Sequence, residues 1–164
     1  VIALKTLLEH VVEFRVKKVV LLSSANVYGP RQDPYGEAGV VAIFAGRMFN
    51  GEPPVINGTG DQERDFVYVA DVARANLLAL ERGDGEILNI GSGVGTSVNA
   101  ICAMLQELTG YGGPAEHGPP KHGEVYRICL DATRARAALG WVPQTSLPQG
   151  LARTVEYFRQ RRLQ

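Results

Sequence analysis

The sequence predicts an α/β fold, and three features of its 164 residues indicate this class. Apolar runs that suit short strands alternate with segments whose apolar residues recur every three or four positions, as they do in helices. Glycine is frequent, with 19 residues, which favours many tight turns between such elements. Hydrophobic residues make up 45% of the chain, which is enough for one domain with a core.

The predicted elements follow one another along the whole chain. Helices are predicted over residues 1–14, 37–50, 71–80, 97–110 and 131–140, with a last helix after the capping-box pattern at 146–149. Short strands are predicted at 19–22, 54–56, 66–69, 87–90 and 126–130, and residues 111–121 are predicted to be a loop. The first helix begins without a capping residue, so we expect that the natural N-terminus has been lost.

Charge and apolar run lengths argue against several classes of protein. Seventeen basic residues balance seventeen acidic ones, so neither nucleic acid nor a membrane is expected as a partner. No apolar run approaches the roughly 20 residues of a membrane span. Cys102 and Cys129 lack the spacing of a redox or metal motif, which favours a reduced, cytoplasmic setting. His10, His117 and His122 have no ligand spacing, so no metal site is expected.

Four segments carry motifs that are more specific than this pattern. Residues 23–34 have the sequence Ser-Ser-Ala-Asn-Val-Tyr-Gly-Pro-Arg-Gln-Asp-Pro, and residues 64–72 have Arg-Asp-Phe-Val-Tyr-Val-Ala-Asp-Val. Residues 119–125 have Pro-Pro-Lys-His-Gly-Glu-Val, and a predicted helix at 131–139 ends in Leu-Gly-Trp-Val-Pro. As a set these segments resemble the extended short-chain dehydrogenase/reductases, which are NAD-dependent epimerases and dehydratases of nucleotide sugars, and they are most similar to the UDP-glucose 4-epimerases.

The resemblance implies an α/β fold with two parts. Residues 1–29 match a helix and the fifth strand of a Rossmann-type dinucleotide-binding domain, so a truncated parallel sheet is expected there. Residues 30–164 match the C-terminal α/β subdomain that binds the nucleotide sugar, with 85–95 returning to the sheet. Complete members use NAD to oxidise a sugar hydroxyl and then return the hydride. A homodimer is typical of the family and is not itself indicated by this chain.

The catalytic residues of the family are only partly present. The resemblance makes Ser24 the catalytic serine, but the Tyr-x-x-x-Lys helix that completes such sites is missing from the sequence. Tyr28 and Tyr35 do not replace it, because the residue four positions on is Gln32 or Gly39 rather than a lysine that could lower the phenol pKa. We therefore expect an internal gap where two Val-Tyr-Gly segments of the family are joined into one.

The glycines of residues 91–95 invite comparison with the loop that holds the pyrophosphate of NAD. This segment, Gly-Ser-Gly-Val-Gly, follows a predicted strand, and Glu116 lies at about the distance of a ribose-binding acid. Its third glycine comes one residue early for that motif, and the family has a glycine turn here that is remote from the cofactor. A turn that leads into a helix is therefore the preferred interpretation, and no bound NAD is predicted.

The candidates for nucleotide-sugar binding lie mostly in the second half of the chain. By resemblance, Arg64 and Lys121 bind the diphosphate, Glu124 contacts the ribose, and Asn26 and the helix start at Val40 border the ligand. A guanidinium fork matches phosphate oxygens, whereas lysine supplies charge without the fork. Each of these roles has an alternative. Arg64 can instead form a surface ion pair with an acid of its own segment, and the charges of Lys121 and Glu124 can be solvated on a mobile loop.

The sequence thus predicts a family member that is a fragment or remnant and is inactive as it stands. The alternative is a non-catalytic nucleotide-sugar-binding or scaffold module. With a sixth strand absent, strand 19–22 is expected to pair directly with 87–90, since burial is worth about 1.5–3 kcal/mol per apolar side chain. Unpaired strand edges predict marginal stability and a tendency to aggregate. Asp65 and Asp71 are expected to accept hydrogen bonds in caps or turns.

Overall fold

A computed structural model describes residues 2–21, 26–35 and 39–162 of the chain. Its helices and strands, in order, are α1 (Ile2–Glu13), β1 (Val27–Tyr28), α2 (Val40–Phe49), β2 (Val55–Asn57), β3 (Glu63–Asp65), β4 (Val67–Tyr68), α3 (Val69–Glu81), β5 (Gly95–Ser97), α4 (Val98–Thr109), β6 (Glu116–Gly118), α5 (Thr133–Leu139) and α6 (Leu147–Arg162). The predicted α/β class is confirmed. None of these helices, in the part of the chain described, has the length and apolar character needed to cross a membrane.

The strands are short and associate in pairs. β1 runs parallel to β4, β2 runs parallel to β6, and β3 runs antiparallel to β5. The predicted strand at 66–69 is divided, because its first residue separates β3 from β4 and its last residue already begins α3. β6 lies inside the segment that we predicted to be a loop, so that prediction is wrong for residues 116–118.

The helix ends follow the sequence signals closely. The Ser97 hydroxyl accepts a hydrogen bond from the Ala100 N–H at 3.1 Å at the start of α4. The Asp131 carboxylate accepts the Thr133 N–H at 2.9 Å just before α5. Gly110 and Gly140 end these two helices in the left-handed conformation, with φ of 77° and 69°. Hydrogen bonds and backbone conformations of nearby residues therefore set the ends of α4 and α5.

The prediction that strand 19–22 pairs with strand 87–90 is wrong for the residues described. Residues 19–21 and 87–90 form no strand. Leu21 is 58% exposed and Ile87 is 86% exposed, whereas Leu88 and Ile90 are partly buried against the smaller apolar cluster described below. Residues 126–130 also form no strand beyond a single bridge between Arg127 and Glu63. An apolar run becomes a central strand only where neighbouring strands and covering helices bury it. The described residues offer no neighbouring strand to 19–21 or 87–90.

Two apolar clusters hold the remaining elements together. The larger cluster joins α2, α4 and α6 around the aromatic rings of Tyr28, Phe66 and Tyr68. The smaller cluster joins α3 and α5 around Trp141, which is fully buried and donates its indole N–H to the Asp71 carbonyl at 2.8 Å. The β1–β4 pair contributes residues to both clusters and so connects the two.

Candidate functional site

Arg64 and Glu124, two residues predicted to bind the nucleotide, are in direct contact. The Arg64 Nη2 donates to the Glu124 Oε1 at 2.8 Å, and the two side chains are only 13% and 27% exposed. The Arg64 Nη1 also donates to the carbonyl of Glu63 at 2.8 Å. Arg64 is thus ion-paired, but with the distant loop residue Glu124 and not with an acid of its own segment.

The loop that carries Glu124 is fastened to β3 by its backbone. The Glu63 N–H donates to the Tyr126 carbonyl at 2.8 Å, and the Ile128 N–H donates to the Glu63 carbonyl at 3.0 Å. Arg127 Nε lies 2.9 Å from Glu63 Oε2, an ion pair without hydrogen-bond alignment. Residues 126–128 therefore hold a fixed register against the strand that presents Arg64.

Lys121 lies in the same loop but is not in contact with Arg64. Its carbonyl accepts the Glu124 N–H at 3.3 Å, which closes a turn containing Gly123 with φ of 74°. The Lys121 residue is exposed. The structure therefore places its charge within one turn of the Arg64–Glu124 pair, on the solvent side.

A turn that follows β2 contacts the residues just before this loop. Residues 58–60 follow β2, and the Gly58 N–H donates to the Gly118 carbonyl at 2.9 Å. A His117 ring nitrogen lies 2.7 Å from the Gly58 carbonyl oxygen. Gly60 requires its glycine, because its φ is 83° and a Cβ there would lie 2.0 Å from the Asn99 side-chain oxygen. These contacts order the backbone immediately before residues 119–124.

Asn26 and Val40 lie on other elements. The Asn26 carbonyl accepts the Val67 N–H at 3.1 Å, which fixes the start of β1 beside β4. Val40 is the first residue of α2, which begins at Gly39 without a side-chain cap. No contact joins either residue to Arg64 or Glu124. Ser24, the predicted catalytic serine, lies outside the described residues.

Asp65 occupies the glycine turn at residues 91–93. The residue is buried, with an exposed fraction of 1%. Its carboxylate accepts the N–H groups of Ser92 at 2.7 Å, Gly93 at 2.9 Å and Leu130 at 3.0 Å, together with the Ser92 hydroxyl at 2.6 Å. These amides are the groups that a phosphate loop would offer to its ligand. A protein carboxylate fills their place here, and it also confirms that Asp65 is a turn acceptor.

Asp71 is a buried acceptor too, but it ties two elements together instead of capping its own helix. Its carboxylate accepts the N–H groups of Gln144 and Thr145, each at 3.0 Å, and a guanidinium N–H of Arg74 at 3.1 Å. Burial alone raises the pKa of a carboxyl, but the donors from Gln144, Arg74 and Thr145 outweigh it, so the Asp71 pKa is lowered. The charge of Asp71 therefore links α3 to the segment before α6.

Tyr28 is not an acid–base group in this fold. Its ring is 3% exposed, and burial, together with the neighbouring Tyr68 and Asp71, raises the pKa of its phenol above the usual range. This agrees with the expectation that it does not ionise near neutral pH. Its hydroxyl lies so close to α6 that a Cβ at Gly150 would meet it at 2.1 Å, which indicates a packing role.

Tyr157, which the sequence analysis did not single out, has a basic residue, Arg161, one helical turn later. The Arg161 Nη1 donates to the Tyr157 hydroxyl at 3.2 Å on α6. Both residues line a cavity of about 530 Å³ with Arg31 and Gln160. An arginine cannot exchange protons as a lysine does, so this pair does not reproduce the missing acid–base unit. No cluster of metal-ligating side chains occurs among residues 2–21, 26–35 and 39–162.

Comparisons with known proteins match most of the chain. Residues 2–91 match the model of the NAD dependent epimerase/dehydratase family. A UDP-glucose 4-epimerase of Mycolicibacterium smegmatis is 46% identical over 139 residues, which cover 84% of this chain and 44% of that protein. A crystal structure of the UDP-glucose 4-epimerase of Thermotoga maritima with UDP-glucose superposes with a TM-score of 0.83 at 54% identity, covering 93% of this chain and 51% of that one.

The alignments differ in length in a way that bears on the internal gap. The chain spans about half the length of the relatives just described. A UDP-glucuronate 4-epimerase of Thermodesulfobacterium geofontis aligns at 28% identity over 203 residues, which cover 94% of this chain and 63% of that protein. Since 203 exceeds the 164 residues of this chain, that relative has residues inside the aligned region that this chain lacks. With the family model and the relatives in agreement, the chain belongs to the NAD-dependent epimerase/dehydratase family.

Proposed function

We propose that this chain is a catalytically incomplete, UDP-glucose 4-epimerase-like member of its family that retains part of a nucleotide-sugar site. The observation that carries the proposal is in the sequence: none of the six tyrosines is followed four positions later by a lysine. Without that lysine no tyrosine is poised to accept and return the proton of a sugar hydroxyl near neutral pH. The longer alignment to the Thermodesulfobacterium relative supports a gap within the chain.

The described residues do not fit NAD at the one glycine-rich turn that resembles its loop. Asp65 already accepts the N–H groups of Ser92 and Gly93 there. A pyrophosphate at the same place would meet a buried carboxylate, and like charges in a partly dry site repel strongly. We therefore propose that this chain holds no NAD, and no hydride step is assigned to it.

The retained part of the site consists of Arg64, Lys121 and Glu124. The Arg64 side chain is only 13% exposed and is held by Glu124, which suits a fork that recognises a diphosphate, and Lys121 adds an exposed positive charge from the loop of Glu124. Glu124 supplies carboxylate oxygens for ribose hydroxyl groups. Asn26 and the start of α2 at Val40 complete the proposed ligand site, and the Ser24 role as a catalytic serine without its partners stays a proposal.

The division into two parts is proposed on the same basis. Residues 1–29 would be the remnant of the dinucleotide-binding domain, and residues 30–164, with 85–95 returning toward that remnant, would be the nucleotide-sugar portion. The Lys18 ammonium lies 2.7 Å from Asp84 and donates to the Arg82 carbonyl at 3.1 Å, so the first part does meet the second near residue 85.

Replacing Arg64 by alanine should abolish most binding of UDP and UDP-glucose. Loss of a charge-assisted contact to phosphate costs about 1.5–3 kcal/mol, or roughly a tenfold to hundredfold rise in Kd. Isothermal titration calorimetry on the whole chain measures this directly. Arg127→Ala is the matched control, because Arg127 also pairs with an acid, Glu63 of β3, but its side chain is 68% exposed.

The same titration separates the proposal from its alternatives. Micromolar binding by the unaltered chain would favour a nucleotide-sugar-binding module, for which the ordered Arg64–Glu124 arrangement is the supporting observation. No heat at millimolar UDP-glucose would leave an inert fragment. An equal loss of affinity in the Arg64 and Arg127 variants would contradict the assignment of Arg64.

A further inference from the structure

The positive charge of the Arg64 guanidinium is already balanced by a carboxylate. Its Nη2 donates to the Glu124 carboxylate at 2.8 Å, and its Nη1 donates to the Glu63 carbonyl at 2.8 Å. A phosphate group that approaches Arg64 must therefore replace the carboxylate of Glu124. An arginine held in this way presents less net charge to a ligand than a free one.

Glu124 lies in the part of its loop that has the fewest other attachments. Residues 126–128 are held to β3 by backbone hydrogen bonds, whereas Glu124 is held to the body of the protein by its side chain. Besides Arg64, the carboxylate accepts a weak hydrogen bond from the Gln62 amide at 3.5 Å. The turn from Lys121 to Glu124 includes Gly123 in a left-handed conformation, and a Cβ there would meet nothing within 4 Å. The turn 121–124 is therefore held to β3 mainly by the Glu124 side chain.

We propose that the Arg64–Glu124 ion pair is a latch that holds the turn 121–124 over β3 and that a diphosphate ligand opens it. The inference rests on the proposed nucleotide-sugar site. In the latched state Glu124 competes with phosphate for the Arg64 Nη2. When a diphosphate takes Arg64, the Glu124 carboxylate is released, and its oxygens become free to accept hydrogen bonds from ribose hydroxyl groups.

The latch makes the effect of Glu124→Gln opposite in sign to that of a simple binding residue. Glutamine keeps an oxygen that can accept from a ribose hydroxyl, but it loses the charge that occupies Arg64. UDP should therefore bind about threefold to fivefold more tightly to the Glu124→Gln chain, which corresponds to the strength of one partly exposed ion pair. If Glu124 serves only as a ribose contact, the same substitution will leave UDP affinity unchanged or weaken it.

Glu63→Gln is the matched control. Glu63 carries the same charge, and it pairs with Arg127 of the same loop, but its side chain does not bind Arg64. Calorimetric titration of UDP into the unaltered chain and both variants should show a gain in affinity for Glu124→Gln that exceeds any gain for Glu63→Gln. Equal gains would mean a general charge effect and would overturn the latch.

Hydrogen exchange gives a second, ligand-free measurement. The amide of Glu124, which donates to the Lys121 carbonyl, should exchange faster in Glu124→Gln than in the unaltered chain, with no such change in Glu63→Gln. Unchanged exchange would contradict a side-chain latch. UDP binding by the unaltered chain without tighter binding by Glu124→Gln would refute the latch alone. Absence of binding by every chain at millimolar UDP would refute the proposed site together with it.

Discussion

Replacing Asp65 by alanine should lower the free energy of unfolding by about 4 kcal/mol. The carboxylate accepts three backbone N–H groups and one hydroxyl, and each buried donor left without a partner costs about 1–3 kcal/mol, partly offset where water enters. The turn at Ser92 and Gly93 would lose its attachment to β3, and so would Leu130. Urea unfolding followed by circular dichroism measures the change.

Asp61→Ala is the control for this prediction. Asp61 lies four residues earlier in the same segment, but it is exposed, and its carboxylate accepts a single side-chain hydrogen bond, from Asn99 at 3.1 Å. Its removal should change stability by no more than about 0.5 kcal/mol. Comparable effects of the two substitutions would show that the glycine turn does not depend on the Asp65 carboxylate.

Replacing Asp71 by alanine should cost about 3 kcal/mol of stability and should remove part of the pH dependence of folding. The folded-state pKa of Asp71 lies below its ordinary value of 3.8, so its contribution is present above that value and is lost as the pH falls through the folded pKa. The unaltered chain should therefore lose the part of its stability that Asp71 contributes as the pH falls below about 4. Urea unfolding at several pH values between neutral and acid measures this slope.

The control here is Asp131→Ala, because Asp131 also has a lowered pKa, which arises from the Thr133 hydroxyl and N–H. Asp131 lies on the surface and binds only Thr133 with its carboxylate, so its loss should leave the acid-side slope steeper than the loss of Asp71 does. An Asp71→Ala chain that unfolds with the same acid dependence as the unaltered chain would contradict the assigned role.

Much of the helical structure could be predicted, because its signals are local. Ser97, Gly110 and Gly140 each act on residues within one turn, so no knowledge of distant contacts is needed to place the ends of α4 and α5. The segments 19–21 and 87–90 were mispredicted for the opposite reason. Their apolar composition indicates burial, but strand formation needs neighbours that the described residues do not provide.

The candidate site shows the same division. The motifs identify Arg64, Lys121 and Glu124 as candidate binding residues. The contact between Arg64 and Glu124 spans 60 positions, however, and no local sequence pattern encodes it. The Arg64–Glu124 ion pair could therefore not be predicted. The role of Asp65 was predictable only as a turn acceptor, since the partners Ser92 and Leu130 come from two distant segments.

We propose that this chain lacks the acid–base and cofactor chemistry of its relatives. Incubating the whole chain with UDP-glucose and added NAD, and measuring UDP-galactose over time, tests the claim most directly. We expect no conversion, and we expect the same result after Ser24→Ala, because the proposal leaves no rate to remove. Conversion by the unaltered chain that disappears with Ser24→Ala would contradict the proposed inactivity and would reveal an acid–base group that the tyrosine pattern does not identify.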